Sequence, residues 1–215
     1  MAILPSKERI WKLQITNSAL GDFPWDILPQ FSNLTHLFLY GNPLTTLPRL
    51  DSASLKQLIL FQDEIATIES VSSLPNLEVL HMASNPLSEI PIGFFSVLGN
   101  LDMFFCQSCS LGPTLATGIL TFGFGPETTI HLQNNELTEL TEEVFRPMVQ
   151  ILSQGSGTIQ LSDNPVDCGC SIAWWVLNPQ FHWTVQGQCA DGNFFQSLNT
   201  DDYQDCIRDG QIHSA

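Results

Sequence analysis

Positive charge is scarce in this 215-residue chain: 7 Lys and Arg stand against 22 Asp and Glu, a formal net charge of −15. Nucleic acids and heparin-like polyanions are gripped by clustered Lys and Arg, so neither is expected as a partner. Long apolar runs are also missing. A membrane span takes about 20 apolar residues, and the run from Ile172 to Leu177 falls far short of that. Met1 to Lys7 shows no basic segment followed by an apolar stretch, so no secretory signal is visible there. Catalytic signatures are lacking as well: there is no G-x-S-x-G elbow, no H-E-x-x-H, no acidic cluster for a hard cation and no phosphate-binding glycine loop. These absences point away from an enzyme, and no cofactor or metal is expected.

What the chain has instead is self-similarity. On the template L-x-x-L-x-L-x-x-N-x-L, Leu34, Leu37, Leu39, Asn42 and Leu44 fit at every fixed position, as do Leu77, Leu80, Met82, Asn85 and Leu87. Leu55, Leu58, Leu60, Asp63 and Ile65 fit with Asp in place of Asn. Ile130, Leu132, Asn135, Leu137 and Ile159, Leu161, Asn164, Val166 fit apart from a polar first position. Ile10, Leu13, Ile15, Ser18, Leu20 and Leu101, Phe104, Cys106, Cys109, Leu111 are degenerate copies. The units start near residues 10, 34, 55, 77, 101, 127 and 156, a period within or close to the roughly 20–29 residues of leucine-rich repeats.

The template has a physical reading. Apolar residues at positions four and six lie two apart on a short strand and point into the coil, while their neighbours point out. Stacked coils form a parallel sheet, and no coil buries its apolar side alone. The Asn at position nine offers its amide to backbone groups where the chain leaves the strand, so these side chains should form a ladder. The expected fold is an α/β repeat solenoid: a leucine-rich-repeat horseshoe with short parallel strands on its concave face and an irregular, short-helical convex side. Thr141 is expected to cap a convex helix that begins at Glu142-Glu143 and turns Met148, Ile151 and Leu152 inward. Residues 112 to 126, with Gly112, Gly118, Gly123 and Gly125, are expected to be an irregular connection.

Six cysteines remain. Cys168 and Cys170 are poorly placed to pair with each other, so crossed bonds to Cys189 and Cys206 are the natural choices, and each closed loop would stabilise the fold by about 2 to 4 kcal/mol. A four-thiolate zinc site is the alternative, but zinc usually takes C-x2-4-C pairs. Cys106 and Cys109 form a C-x-x-C that falls on positions six and nine. Buried structural thiols are expected there, with a local disulfide or a redox pair as the other readings.

The segment Asn164-Pro165-Val166-Asp167-Cys168-Gly169-Cys170, followed by Trp174, Leu177, Cys189 and Cys206, resembles the carboxy-terminal flanking domain of extracellular leucine-rich-repeat proteins. Val166 departs from the pattern, where Trp or Phe is common. The resemblance implies Cys168–Cys189 and Cys170–Cys206 bonds, hence a disulfide cap. Trp174-Trp175 and the acidic run before Cys206 are also similar to secreted arthropod proteins named after the non-catalytic subunit of a shrimp luciferase, which implies a partner or scaffold role without catalysis.

The expected division is therefore a truncated lead-in at 1–9, repeats over 10–163, a cysteine-rich cap over 164–207 and a tail at 208–215. An upstream signal and amino-terminal cap are expected, because the cysteine pattern makes little sense in a reducing compartment. Function is expected on the concave face. Phe38, Tyr40, Ile59 and Phe61 should form one apolar patch with Trp11, His36, His81 and Phe105 near its edges, suited to a protein ligand or a catalytic partner subunit. His81 and His131 stand two coils apart and are expected to be separate exposed polar positions. Asn33-Leu34-Thr35 is an N-glycosylation sequon. The expected function is an extracellular protein-binding module, a non-catalytic accessory or recognition subunit. An intracellular regulatory scaffold and a thiol redox protein using Cys106 and Cys109 are the rival readings.

Overall fold

Alternation of inward Leu and outward polar or aromatic residues produces one short strand per coil. The computed structural model describes residues 4–69, 73–87, 89–120 and 124–208; beyond Arg208 the expected tail lies outside the described residues. Its strands are β1 (Lys12–Gln14), β2 (His36–Phe38), β3 (Thr46–Leu47), β4 (Gln57–Ile59), β5 (Thr67–Ile68), β6 (Val79–His81), β7 (Leu101–Phe105), β8 (Phe124–His131), β9 (Thr158–Gln160) and β10 (Val185–Gln186). Eight of them form one sheet in the order β1-β2-β4-β6-β7-β8-β9-β10, and β3 pairs with β5 in a second, two-stranded sheet. Every pairing in the large sheet is parallel, and the template residues stay in register apart from a shift between Leu101 and Met103 where β7 meets β8. The chain is a leucine-rich-repeat solenoid.

The inward residues of these strands are the core: Leu37, Leu39, Leu58, Leu60, Leu80, Met82, Phe104, Cys106, Ile130, Leu132, Ile159 and Leu161 are all buried. At about 1.5–3 kcal/mol for each large apolar side chain removed from water, this column outweighs any single polar contact. Beside it runs the amide ladder. Asn85 donates to Leu60 O at 2.7 Å and Met82 O at 2.8 Å and accepts from Ile65 N. Asn42, Asn135 and Asn164 repeat the pattern in their own coils. One residue before template position nine of every repeat, whether that position holds Asn or not, the chain adopts a left-handed conformation, at Asn17, Gly41, Gln62, Ser84, Ser108, Asn134 and Asp163. Gly41 has a second reason to be glycine: a Cβ there would lie 2.5 Å from Asn17 Oδ1.

A second amide series, not anticipated from the repeat template, precedes the first leucine of several coils. Asn33, Asn76 and Asn100 donate to Glu8 O, Ala53 O and Pro75 O of the preceding coil at 2.6–2.7 Å, and Ser54 takes the same place in its coil.

The helix α1 (Glu142–Leu152) buries Val144, Phe145, Met148, Val149 and Leu152. Thr141 sits at its N-cap position but its hydroxyl makes no capping bond, and Val149 is buried where Ile151 is only half-buried, two corrections to the expected helix. The expected irregular connection ends early. Residues 124–126 already belong to β8, anchored by Thr128 Oγ1, which accepts from Gly125 N and donates to Leu101 O.

After α1, the cap adds the short helices α2 (Ala173–Val176) and α3 (Asp205–Arg208). Cys168 is bonded to Cys189 and Cys170 to Cys206, closing loops of 21 and 36 residues. Trp175 is fully buried and donates its ring N–H to Phe181 O; Trp174 donates to Leu140 O, and Tyr203 to Cys168 O. The cap also supplies the sheet's eighth strand, β10, where only about seven repeats are expected. Its core residue is Val185, but the next inward position is Gly187, where a Cβ would lie 3.0 Å from Phe195. The Phe195 ring fills the space a leucine would occupy, so this coil does not match the template.

Candidate functional site

The outward positions of the sheet carry half-buried rings, and their order follows from the register. Successive strands lie about 4.8 Å apart, close to the separation at which aromatic rings attract one another. Phe38, Ile59, His81, Phe105 and His131 occupy one row, each paired with the next. Tyr40 and Phe61 occupy the neighbouring row. Their rings stack at 4.5 Å with planes 17° apart. Phe61 then leans across to His81 at 5.1 Å, into space left by the small Ala83 of that coil. The stack continues from His81 to Phe105 at 4.8 Å and 20°, and from Phe105 to His131 at 4.5 Å and 6°. Tyr40, Phe61, His81, Phe105 and His131 thus form one unbroken column across five coils.

In the stacked pairs Tyr40–Phe61, His81–Phe105 and Phe105–His131 the facing ring surfaces are spent on one another and ring edges are left toward the hollow, while Phe61 and His81 meet at a tilt of 44°. Faces carry the negative part of the aromatic quadrupole and edges the positive part. Burial, and then electrostatic repulsion from His131, push the His81 pKa down, and burial pushes His131 down against the opposing hydrogen bond of Gln133. His81 Nδ1 accepts from Ala83 N at 3.4 Å, and His131 Nδ1 lies 3.3 Å from Gln133 Nε2. With Nδ1 accepting from a backbone N–H, neutral His81 carries its proton on Nε2. The amide oxygens of Gln107 and Gln133, one row over, are buried without a hydrogen-bond partner among the described residues.

The expected site residues are distributed as follows. Tyr40, Phe61, His81 and Phe105 lie in the column, and Ile59 stands between Phe38 and His81 in the register. Phe38 belongs to a second group: Lys12 Nζ lies 4.4 Å over its ring, His36 packs edge-on against it, and Trp11, 59% exposed, packs edge-on against His36. The apolar patch centred on Phe38 and Phe61 is therefore two ring groups, because Lys12 occupies the face of Phe38. His131, expected as a separate exposed polar position, is the end of the column. Its sharing a template position with His81, with Phe105 between them, was the signal.

Cys106 and Cys109 are bonded to each other and fully buried, which corrects the expectation of free thiols there. A redox pair needs an accessible thiolate, and both sulfurs are sealed in the core. The bond spans a core position and a ladder position, where Asn135 Oδ1 accepts from Cys109 N. A further departure from the ladder is Asp63. Asn42 N donates to its Oδ1, while Oδ2 has no partner among the described residues. Burial raises its pKa to about 7 against the lowering effect of the Asn42 bond.

The family profile described as Leucine Rich Repeat matches residues 76–98. The chain is 27% identical over 225 aligned residues to the Oplophorus-luciferin 2-monooxygenase non-catalytic subunit of Oplophorus gracilirostris, covering 92% of this chain and 62% of that protein. It is 28% identical to mouse keratocan over 170 residues, 77% of this chain and 46% of keratocan. The chain thus spans less than two thirds of either relative. A structure of the Toll–Spätzle complex from Drosophila matches with a TM-score of 0.55 at 15% identity, covering 92% of this chain and 33% of that one, a likeness of fold. No helix among the described residues is long and apolar enough to cross a membrane.

Proposed function

We propose that this chain is an extracellular, non-catalytic recognition module that holds a protein partner on its concave sheet, the partner being a free ligand or a catalytic subunit. The observation that carries the reading is the ring column from Tyr40 to His131: large, rigid side chains, half open on a sheet that cannot deform, are what dominates interface energies. Three disulfides support an oxidising compartment over the cytosol. The names of the two relatives, a non-catalytic subunit and a keratocan, support a role without catalysis. The same proposal takes residues 10–163 as the recognition unit, 164–207 as its cap and 1–9 as a lead-in. It also takes Asn33 as a glycan acceptor on an exposed loop.

The test is a photo-crosslinking benzoylphenylalanine placed at Phe61, at Phe105 and, as a control, at Gln150 on the exposed side of α1. Capture of the same protein from both sheet positions and not from Gln150 is the expected result. Equal capture from Gln150 would remove the concave face from the argument.

A further inference from the structure

At the N-terminal ends of β6, β7 and β8, the three strands that carry His81, Phe105 and His131, the sheet opens into a groove of about 490 Å³. Glu78, Asp102 and Glu127 line it, one carboxylate from each coil, together with Asn76 and Asn100. Glu78 pairs with the exposed Lys56 at 2.5 Å, and Glu127 accepts from Ser156 N at 3.2 Å. Asp102 is exposed and has no ion pair among the described residues. Met103, the residue after Asp102, is 44% exposed and stands in β7 between the groove and Phe105. Groove and column are therefore adjacent parts of one surface.

The two parts ask for different chemistry. A cation set against the column meets ring edges, the positive side of the quadrupole, because the faces are already stacked. The Nε2–H of His81 is a donor and seeks an acceptor. The groove is the reverse, a row of carboxylates in a chain with 22 acids and 7 bases. We propose that the occupant of this surface is an extended basic segment of a partner protein: its Lys or Arg enters the Glu78–Asp102–Glu127 groove, and the residues beside it lay backbone carbonyls and an aromatic face against the column. This inference rests on the concave-face reading and adds the partner's chemistry. Charge complementarity of this kind mainly sets specificity and association rate, and exposed charges a Debye length apart are screened, so binding should be steeply salt-dependent.

The probes are a fluorescent peptide of repeated Arg-Trp-Gly units and its Glu-Trp-Gly counterpart, titrated against the full chain in low and in physiological salt. The Arg peptide is expected to bind at least about tenfold more tightly than the Glu peptide, with the gap narrowing as salt rises. Asp102→Asn combined with Glu127→Gln should weaken the Arg peptide about tenfold, and Phe105→Ala should weaken it by a similar factor. Unfolding midpoints measured alongside show that each variant is folded. Equal binding of the two peptides, or indifference to the carboxylate pair, overturns the proposal. A protein captured at Phe61 and Phe105 whose binding fails in Phe105→Ala but not in the carboxylate variant leaves the concave-face function standing and rejects only the basic segment. Indifference to both rejects both.

Discussion

Two columns cross the same sheet at the same period, the amide ladder inside and the ring column outside, and they differ in what each rung can tolerate. Inside, the rungs satisfy backbone groups sealed from water, so every departure from Asn has its own chemical solution. Cys109 is tied to Cys106, and Asp63 keeps a carboxyl whose pKa rises to about 7. Outside, Tyr, Phe and His alternate freely because the only demand is a flat ring at the strand spacing. The inner column is constrained by what is buried, the outer one by what is left open.

The sharpest way to break the comparison is to remove an inner rung. Asn85→Ala strands Leu60 O, Met82 O and Ile65 N in a buried site. At about 1–3 kcal/mol for a buried group left unpaired, a loss of roughly 3 kcal/mol is expected, read from the urea midpoint at constant slope. A loss below about 1 kcal/mol would mean that the ladder is ornament and the leucine column alone holds the coil.

Asp63 sharpens it next. Its pKa in the fold, about 7, lies above the ordinary 3.8, so the folded state binds the proton more tightly than the unfolded chain. The stability that this proton confers is complete below pH 4 and is lost progressively as pH rises to about 7. Asp63→Asn supplies a neutral amide at every pH, with a donor that a carboxylate lacks. The variant should therefore gain about 1–2 kcal/mol over the wild type at pH 8 and little at pH 4, measured as urea midpoints across that range. A gain that does not grow with pH would show that Asp63 is ionised without cost.

The histidines titrate in the opposite sense. Their pKa values are pushed down in the fold, so as pH falls below 6.5 the unfolded chain takes up protons that the column resists, and stability drops on the acid side. The double substitution His81→Gln and His131→Gln should flatten the wild type's decline as pH falls below about 6.5. Thermal midpoints across that window are the readout, and an unchanged slope would place both imidazoles in water.

How much of this is legible in the sequence depends on whether a residue's role is fixed by its own coil. Leu37, Leu58 and Asn85 are, and their places follow from the period alone. The eighth strand is not, because Gly187 stands where the template wants leucine and Phe195, from another turn of the cap, fills the gap. His131 has the same difficulty in another form. Its position is readable, but that its ring closes on Phe105 depends on side-chain orientation across coils, and a polar letter at an outward position reads as solvent-exposed. Lys12 over Phe38 is a third case, a contact between adjacent strands that no spacing within one repeat announces.

The smallest stability effect tests the outer column most directly. Phe105 contributes two of the column's ring contacts, to His81 and to His131, yet it is only half buried. Aromatic pairs of this geometry are worth about 0.5–1.5 kcal/mol beyond their area, and at a half-open site the neighbouring rings relax toward the gap. Phe105→Ala should therefore cost about 1 kcal/mol in folding, a fall in the unfolding temperature of roughly 2–4 °C for a chain of this size. Association with the crosslinked partner, titrated with the same variant, should weaken tenfold or more, because truncating a central anchor typically costs over 1 kcal/mol of binding. Equal losses in folding and binding would mean that the rings brace the sheet and face nothing. A mild loss of stability beside a large loss of affinity is what an outer column kept for recognition requires.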